Sequence, residues 1–314
     1  MIHLATLSGV TVQYALLDDL PGQARALVRL TGPDTARFVQ GTVTGDVAGA
    51  AAGVAVVAAL CTPKGKIFSE LVILPQGETF DLLVPVGQAD AVADNLDRHI
   101  IMDQVEVVRP DAPSLAVVWT DDGTDPPEPV GDVRHFRSRH PGPGHLWLGS
   151  PSAVRAALAD ATPVDEAGFA RRRIDTATPA WGHEIEPDVF PPEVGFVYAV
   201  SYDKGCFIGQ EPLARIHARG QVNRVMVRVK ADVPVDVGTT LAGADRPDAG
   251  RLTTVAPEGD GIVGLAIVRR VVAEAGMTLM AGDTTVTVTS GPLGDDPGVT
   301  GKGRSATVKL GGRR

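Results

Sequence analysis

The sequence predicts an α+β chain of two or three domains, with antiparallel sheets, helices and a β-barrel at the C-terminal end. Three observations carry this. The chain has 314 residues, more than one average domain. Strand and helix patterns follow one another as β-β-β-α-β between Val54 and Val108. From Val222 onward, short β-branched runs alternate with Gly and Pro turns, the pattern of a small barrel.

Ala26 to Leu30 reads as a short strand. Thr31-Gly32-Pro33-Asp34 opens a helix, with Pro early in its first turn, that carries Ala36, Phe38 and Val39 and stops near Gly41. Val54 to Cys61 and Ile67 to Leu74 form a hairpin across the turn Thr62-Pro63-Lys64-Gly65. Thr79 to Val86 is a third strand, Gln88 to His99 a helix through Ala91, Val92 and Leu96, and Val105 to Val108 a fourth strand. A small antiparallel sheet with a helix on one face accounts for that order. Asp121 to Val130 is an acidic, Pro-rich loop. Helices are expected at Pro151 to Ala159 and Asp165 to Asp175, and irregular chain over the three prolines of Glu186 to Gly195. Lys204 to Gly209 is a loop feeding a helix that tolerates Pro212 in its first turn and stops at Gly220. Val225–Val229, Gly261–Val268 and Thr284–Val288 are barrel strands, and the last twenty residues, ending in Arg313-Arg314, are expected to be a flexible tail.

Composition narrows the function. A net charge of −9 argues against nucleic-acid binding, which needs concentrated Lys and Arg. The longest apolar run, Val54 to Cys61, is too short to span a bilayer, and the first residues have no basic region followed by a long apolar core. Two cysteines far apart, Cys61 and Cys206, make no disulfide framework and cannot alone hold an iron–sulfur cluster. A cytoplasmic protein is expected.

The informative segment is Lys204-Gly205-Cys206-Phe207-Ile208-Gly209-Gln210-Glu211. It sets a thiol in a glycine-flanked loop, with a lysine two residues upstream and a helix N-terminus just downstream; both favour thiolate. Gly205 and Gly209 let the backbone approach a ligand, and Gln210 and Glu211 are able to recognise a hydrogen-bonding heterocycle. A lone cysteine equally fits a small buried hydrophobe.

This octapeptide resembles the K-G-C-Y-x-G-Q-E signature of the YgfZ family of folate-binding proteins, with Phe207 where Tyr is usual. Ala214-Arg215 followed by Arg219-Gly220, Phe38-Val39-Gln40-Gly41 with Thr44-Gly45-Asp46-Val47, and Leu60-Cys61-Thr62-Pro63-Lys64-Gly65-Lys66 are similar to further family motifs in the right order. The resemblance implies a ring-like three-domain fold shared with the T-protein aminomethyltransferase of glycine cleavage, with tetrahydrofolate in a central channel. Residues 1–48 and 112–221 would form a discontinuous folate-binding domain, 49–111 an inserted β-β-β-α-β domain, 222–294 the barrel and 295–314 the tail. The run Arg173 to Glu184 is similar to the aminomethyltransferase stretch whose last Glu holds the pterin. Glu184 inherits that role, with Trp181 packing on the ring or filling the core. Cys206 is the expected functional thiol, Lys204 its tuning group, and Arg215 a partner for a folate glutamyl tail. For Arg171 and Arg172 the alternative is a solvated helix face.

One departure separates the two relatives. Where the aminomethyltransferase carries an acidic pair, this chain has Ser69 and Glu70. The resemblance therefore implies a tetrahydrofolate-dependent accessory factor for iron–sulfur assembly or repair, with client or assembly proteins as partners. A one-carbon transferase with Glu70 as its acid and a non-catalytic adaptor with a vestigial channel are the alternatives. His135, His140 and His145 fit no zinc spacing and are expected to be solvated loop residues. Thr62 to Lys66 lacks the spacing of a phosphate loop and reads as a turn.

Overall fold

The computed structural model describes residues 9–219 and 222–294. The expectations for the first eight residues, for Gly220 and for the tail beyond 294 lie outside the described residues. In chain order, β1 (Val12–Leu16), β2 (Arg25–Thr31), α1 (Thr35–Thr42), β3 (Val56–Cys61), β4 (Ile67–Gln76), β5 (Thr79–Pro85), α2 (Ala89–His99) and β6 (Glu106–Val108) come first. Then follow β7 (Ser114–Thr120), β8 (Val133–Ser138), β9 (Gly144–Gly149), α3 (Pro151–Ala157), β10 (Thr162–Pro163), α4 (Glu166–Thr176) and α5 (Gln210–Arg219). The rest is strand: β11 (Arg224–Ala231), β12 (Thr240–Gly243), β13 (Arg246–Glu258), β14 (Gly261–Arg269), β15 (Thr278–Ala281) and β16 (Thr284–Val288).

The strands build three bodies: a sheet of order β10-β1-β7-β9-β8, a second of order β3-β4-β5-β2-β6, and a closed barrel β11-β14-β13-β12-β15-β16. The first sheet is left after β1 and rejoined at β7. The second contains the expected β-β-β-α-β run and takes in β2 as well, seven residues in unbroken register with β5. Residues 25–31, expected with the first domain, therefore belong by pairing to the sheet of the second. Burial explains it. Val28 and Leu30 face α1 and α2, whereas Leu27 joins Val72, Leu74 and Leu83 against Leu115, Val117 and Leu146 of the first sheet. A strand apolar on both faces belongs between two layers.

Strands β7 to β9 are absent from the sequence-based reading. Every residue of β7, Ser-Leu-Ala-Val-Val-Trp-Thr, is buried, and a short apolar run without alternation carries no strand signature of its own. Helix α4 starts on the Asp165 side chain, which accepts from Gly168 N. Its other end is fixed to the barrel, where Arg228 donates to the carbonyls of Ile174 and Asp175. Ile174 packs there with Met226, Ala256 and Leu265.

Candidate functional site

The motifs of the sequence meet in one place, and backbone geometry joins them. Gly209 has a φ of +82°, and a Cβ there would stand 2.6 Å from the Thr62 carbonyl oxygen and 3.0 Å from the Gly65 Cα. The loop of residues 204–209 thus lies backbone to backbone on the β3–β4 turn, which only glycine permits. The close approach expected toward a ligand is used against the chain's own hairpin, while a Cβ on Gly205 would meet nothing. Phe207 and Leu213 are buried beside Cys61 and Ile67. Thr44 ties the same region together: its hydroxyl donates to Ala199 O at 2.6 Å and accepts from Ala59 N at 2.7 Å.

Lys204 donates to the carbonyls of Val43 at 2.7 Å and Gly45 at 2.6 Å. Its ammonium is committed to the segment after α1, and burial lowers its pKa to about 8 against the pull of Asp46. Cys206 is exposed, in contrast to buried Cys61, whose thiol burial pushes up to about 12. Gln210, Glu211 and Arg215 border an open groove of about 780 Å3 with Lys64 and His99. There Glu211 and Arg215 pair with each other at 2.9 Å.

A second cavity, about 720 Å3, opens between the first two sheets, with Trp119, Arg137, Arg139, His145, Arg172 and Tyr198 on its wall. Two aromatic faces are each capped by a guanidinium: Arg172 lies 4.2 Å over the Trp119 ring and Arg139 4.1 Å over Tyr198. Arg172 donates one Nη–H to Pro143 O, and its buried Nε–H has no partner. Burial lowers its pKa to about 10, which leaves it charged at neutral pH.

Behind Tyr198 runs a chain of buried polar groups. The Tyr198 hydroxyl lies 3.1 Å from His140 Nδ1, His140 Nε2 lies 3.0 Å from Glu70, and the other Glu70 oxygen lies 2.7 Å from Arg25. Burial would raise the Glu70 carboxyl, but Arg25 and then His140 hold it down, at about 2. Burial lowers the His140 pKa against the attraction of Glu70. The same effect holds the Tyr198 phenol well above its ordinary range. His140 is thus no solvated loop histidine. It is fully buried, whereas His135 and His145 stand on β8 and β9 and stack on each other. Glu70 stays behind His140, and the neighbouring Ser69 is buried and donates to the Glu70 carbonyl.

Glu184 is buried with both oxygens engaged. One accepts from Arg173 and from Ala180 N, the other from Thr254 Oγ1 at 2.6 Å. It joins α4, the following linker and the barrel, and borders a third cavity, about 420 Å3, shared with Lys66, Arg251 and Glu186. Trp181, partly buried, packs with Ile185 and Phe196. The three cavities have separate linings, so Glu184 and the residues after Cys206 border different hollows.

Sequence reasoning missed Trp119, Arg139 and Tyr198 and placed His140 in a solvated loop. One signal was available. Three consecutive arginines on a helix point about 100° apart and cannot share a solvated face. Arg171 pairs with Asp175 and Glu258 in solvent, Arg172 enters the cavity, and Arg173 is buried against Glu184. Among the described residues no group of three or more His, Cys, Asp or Glu is arranged to hold a metal ion.

Among solved structures the chain is similar to the glycine cleavage system aminomethyltransferase T from Bartonella henselae, with a TM-score of 0.73 over 91% of this chain and 87% of that one at 18% identity. Sheets, helices and barrel therefore have the aminomethyltransferase-type fold. By sequence the chain is similar to the tRNA-modifying protein YgfZ of Pectobacterium carotovorum, 25% identical over 64% of this chain and 66% of that protein. It is also similar to that of Yersinia pseudotuberculosis, 28% identical over 70% and 71%. The match spans just under two thirds of the length of the first of these relatives. No family model matches the chain. These sequence relatives and this fold support a YgfZ-type protein related to the glycine-cleavage aminomethyltransferase.

Proposed function

We propose that this protein binds tetrahydrofolate or a derivative in the Trp119–Tyr198 cavity. It would act as an accessory factor for iron–sulfur cluster assembly or repair, with Cys206 as its functional thiol. The observation that carries the ligand half is the pair of guanidinium-capped aromatic faces on one cavity wall. A folate is a flat heterocycle with a carboxylate tail. Aromatic faces suit the first, and Arg137, Arg139 and Arg172 suit the second. The unpartnered Nε–H of Arg172 supplies a buried donor for a ligand oxygen. Glu184, with both oxygens engaged, serves the junction with the barrel, and Trp181 packs beside it.

The thiol half rests on the exposure of Cys206 and on the family resemblance. Lys204, tied to two carbonyls, sets the position of the loop, and Gly205, Gly209, Gln210, Glu211 and Arg215 shape the groove beside it. One cysteine cannot hold a cluster, so a client or assembly protein would supply the remaining ligands. The relatives are named for tRNA modification. A chain of net charge −9 is poorly suited to gripping tRNA, which supports action through partner proteins in the cytoplasm. No helix of the described residues is long and apolar enough to cross a membrane.

The transferase alternative needs Glu70 at the reacting centre, yet Glu70 lies behind His140. A blocked or collapsed channel would favour the adaptor alternative; the open cavity of about 720 Å3 supports the ligand-binding reading instead.

Calorimetric titration of the purified chain with tetrahydrofolate tests the ligand half. Saturable binding is expected, weakened roughly 10-fold or more by Arg172→Met, the loss of a charged hydrogen-bond donor, and unchanged by Arg215→Met. Absence of heat, or a loss confined to Arg215→Met, contradicts it. For the thiol half, Cys206→Ala should lower the activity of a cluster-dependent enzyme in the host; full activity defeats that part.

A further inference from the structure

The polar chain behind the cavity has a fixed direction, and that direction reaches the cavity wall. Glu70 and Arg25 are each 2% exposed and 2.7 Å apart. A buried carboxylate facing a guanidinium keeps its charge and only accepts hydrogen bonds. His140 Nε2, 3.0 Å from Glu70, must then carry the proton, because two acceptors cannot bond. In a neutral imidazole this leaves Nδ1 bare, so the Tyr198 hydroxyl, 3.1 Å away, donates inward to it. With its proton committed to His140, Tyr198 offers only oxygen lone pairs to the cavity it lines.

The groups facing His140 favour this neutral state. Arg25 on β2 and Arg173 on α4 oppose a further positive charge, and burial acts the same way, while Glu70 on β4 opposes them. Tyr198 and, over its ring, Arg139 close the cavity side. Phe196 packs against the imidazole at 5.2 Å between ring centroids and contributes no charge.

We infer that Tyr198 is a specificity residue, an enforced hydrogen-bond acceptor that selects a ligand with an N–H donor facing it, and that His140 and Glu70 are the positioning residues that enforce it. The inference rests on the cavity being the pterin site, and it names the form of pterin. A tetrahydropterin ring carries N–H groups at N5 and N8, and in the fully oxidised ring both nitrogens are bare acceptors. Both rings share the N3–H and 2-amino donors, so the discrimination comes from N5 or N8 facing Tyr198: there the oxidised ring sets lone pair against lone pair and leaves a buried polar group unpaired, a loss of roughly 10- to 100-fold in affinity. Protonation of His140 reverses the chain. Nδ1–H then donates to Tyr198 and frees the hydroxyl proton for the cavity, so the preference for the reduced ring should shrink as pH falls through the His140 pKa, which burial sets below the ordinary imidazole value of 6.5.

The test titrates the full-length protein, without oxygen, with tetrahydrofolate and with fully oxidised folate at pH about 7.5 and about 5.5. At the higher pH the wild type should bind the reduced form roughly 10- to 100-fold more tightly. Tyr198→Phe, which removes one hydroxyl, should bring the two affinities within about 3-fold of each other and abolish the pH dependence of their ratio. Equal affinities in the wild type, or a ratio that Tyr198→Phe leaves unchanged, overturns the inference while leaving the cavity as a folate site. Failure of both forms to bind overturns the cavity reading and this inference with it. Should Tyr198→Phe not fold, the wild-type ratio at pH about 7.5 decides: equal affinities for the two forms sink the proposal.

Discussion

The loop that carries Cys206 and the cavity that Tyr198 lines are held by different physics. The loop is fixed by backbone: Gly209 against the Thr62–Gly65 turn, and Lys204 on two carbonyls. Its thiol stands in solvent. The cavity is backed by side-chain charge: Arg25, Glu70 and His140 are buried behind it, and the buried pair Arg173–Glu184 holds the neighbouring junction with the barrel. A backbone contact tolerates almost any side chain that does not collide. A buried charge tolerates the loss of no partner, because the one left behind keeps its desolvation cost. The two regions should therefore fail in different ways.

The largest effect is expected in the charged region. Arg173→Met strands Glu184, which has no exposed side-chain surface, and should cost about 3–5 kcal/mol of unfolding free energy in urea titration. In the loop, Gly209→Ala combines a positive φ with a Cβ 2.6 Å from a backbone oxygen and should cost about 1–3 kcal/mol. Gly205→Ala, facing open space, should stay within about 0.5 kcal/mol. Equal costs for the two glycines would erase the distinction drawn for the loop.

Acid should act on the buried chain behind the cavity through two groups. The His140 pKa is lowered in the folded chain, so below the ordinary value of 6.5 the unfolded chain binds the extra proton and stability falls as pH falls. Glu70, held at about 2, adds a further loss below its ordinary value of 4.5. Urea midpoints measured between neutral and acid pH should decline in those two windows, and His140→Gln should remove the first. The smallest energetic change is expected at Cys206→Ala, within about 0.5 kcal/mol. The same loop sharpens the contrast chemically. A thiol reagent should label Cys206 alone in the native chain and reach buried Cys61 only after unfolding.

This contrast also explains what was legible in the sequence. Gly65, Gly209, Thr44 and Lys204 mark places where backbones meet, and such contacts demand particular residues at fixed spacing, which is what a motif is. The helices and hairpins around them have periodicity and turn chemistry of their own. The cavity residues have none. Trp119 lies near the end of an all-buried strand, His140 follows β8, and Tyr198 sits in a short turn after irregular chain. They come together only because the first two sheets pack face to face. Glu70 was noticed for its place after the hairpin, but its burial behind a histidine 70 residues away depends on tertiary packing.

A crystal structure of the protein soaked with tetrahydrofolate tests the central claim most directly. The account expects the pterin between Trp119 and Tyr198, with a ring N–H facing the Tyr198 hydroxyl and the tail among Arg137, Arg139 and Arg172. A pterin bound at Glu184, or in the groove beside Gln210, with the Trp119 cavity empty at saturating ligand, would contradict it.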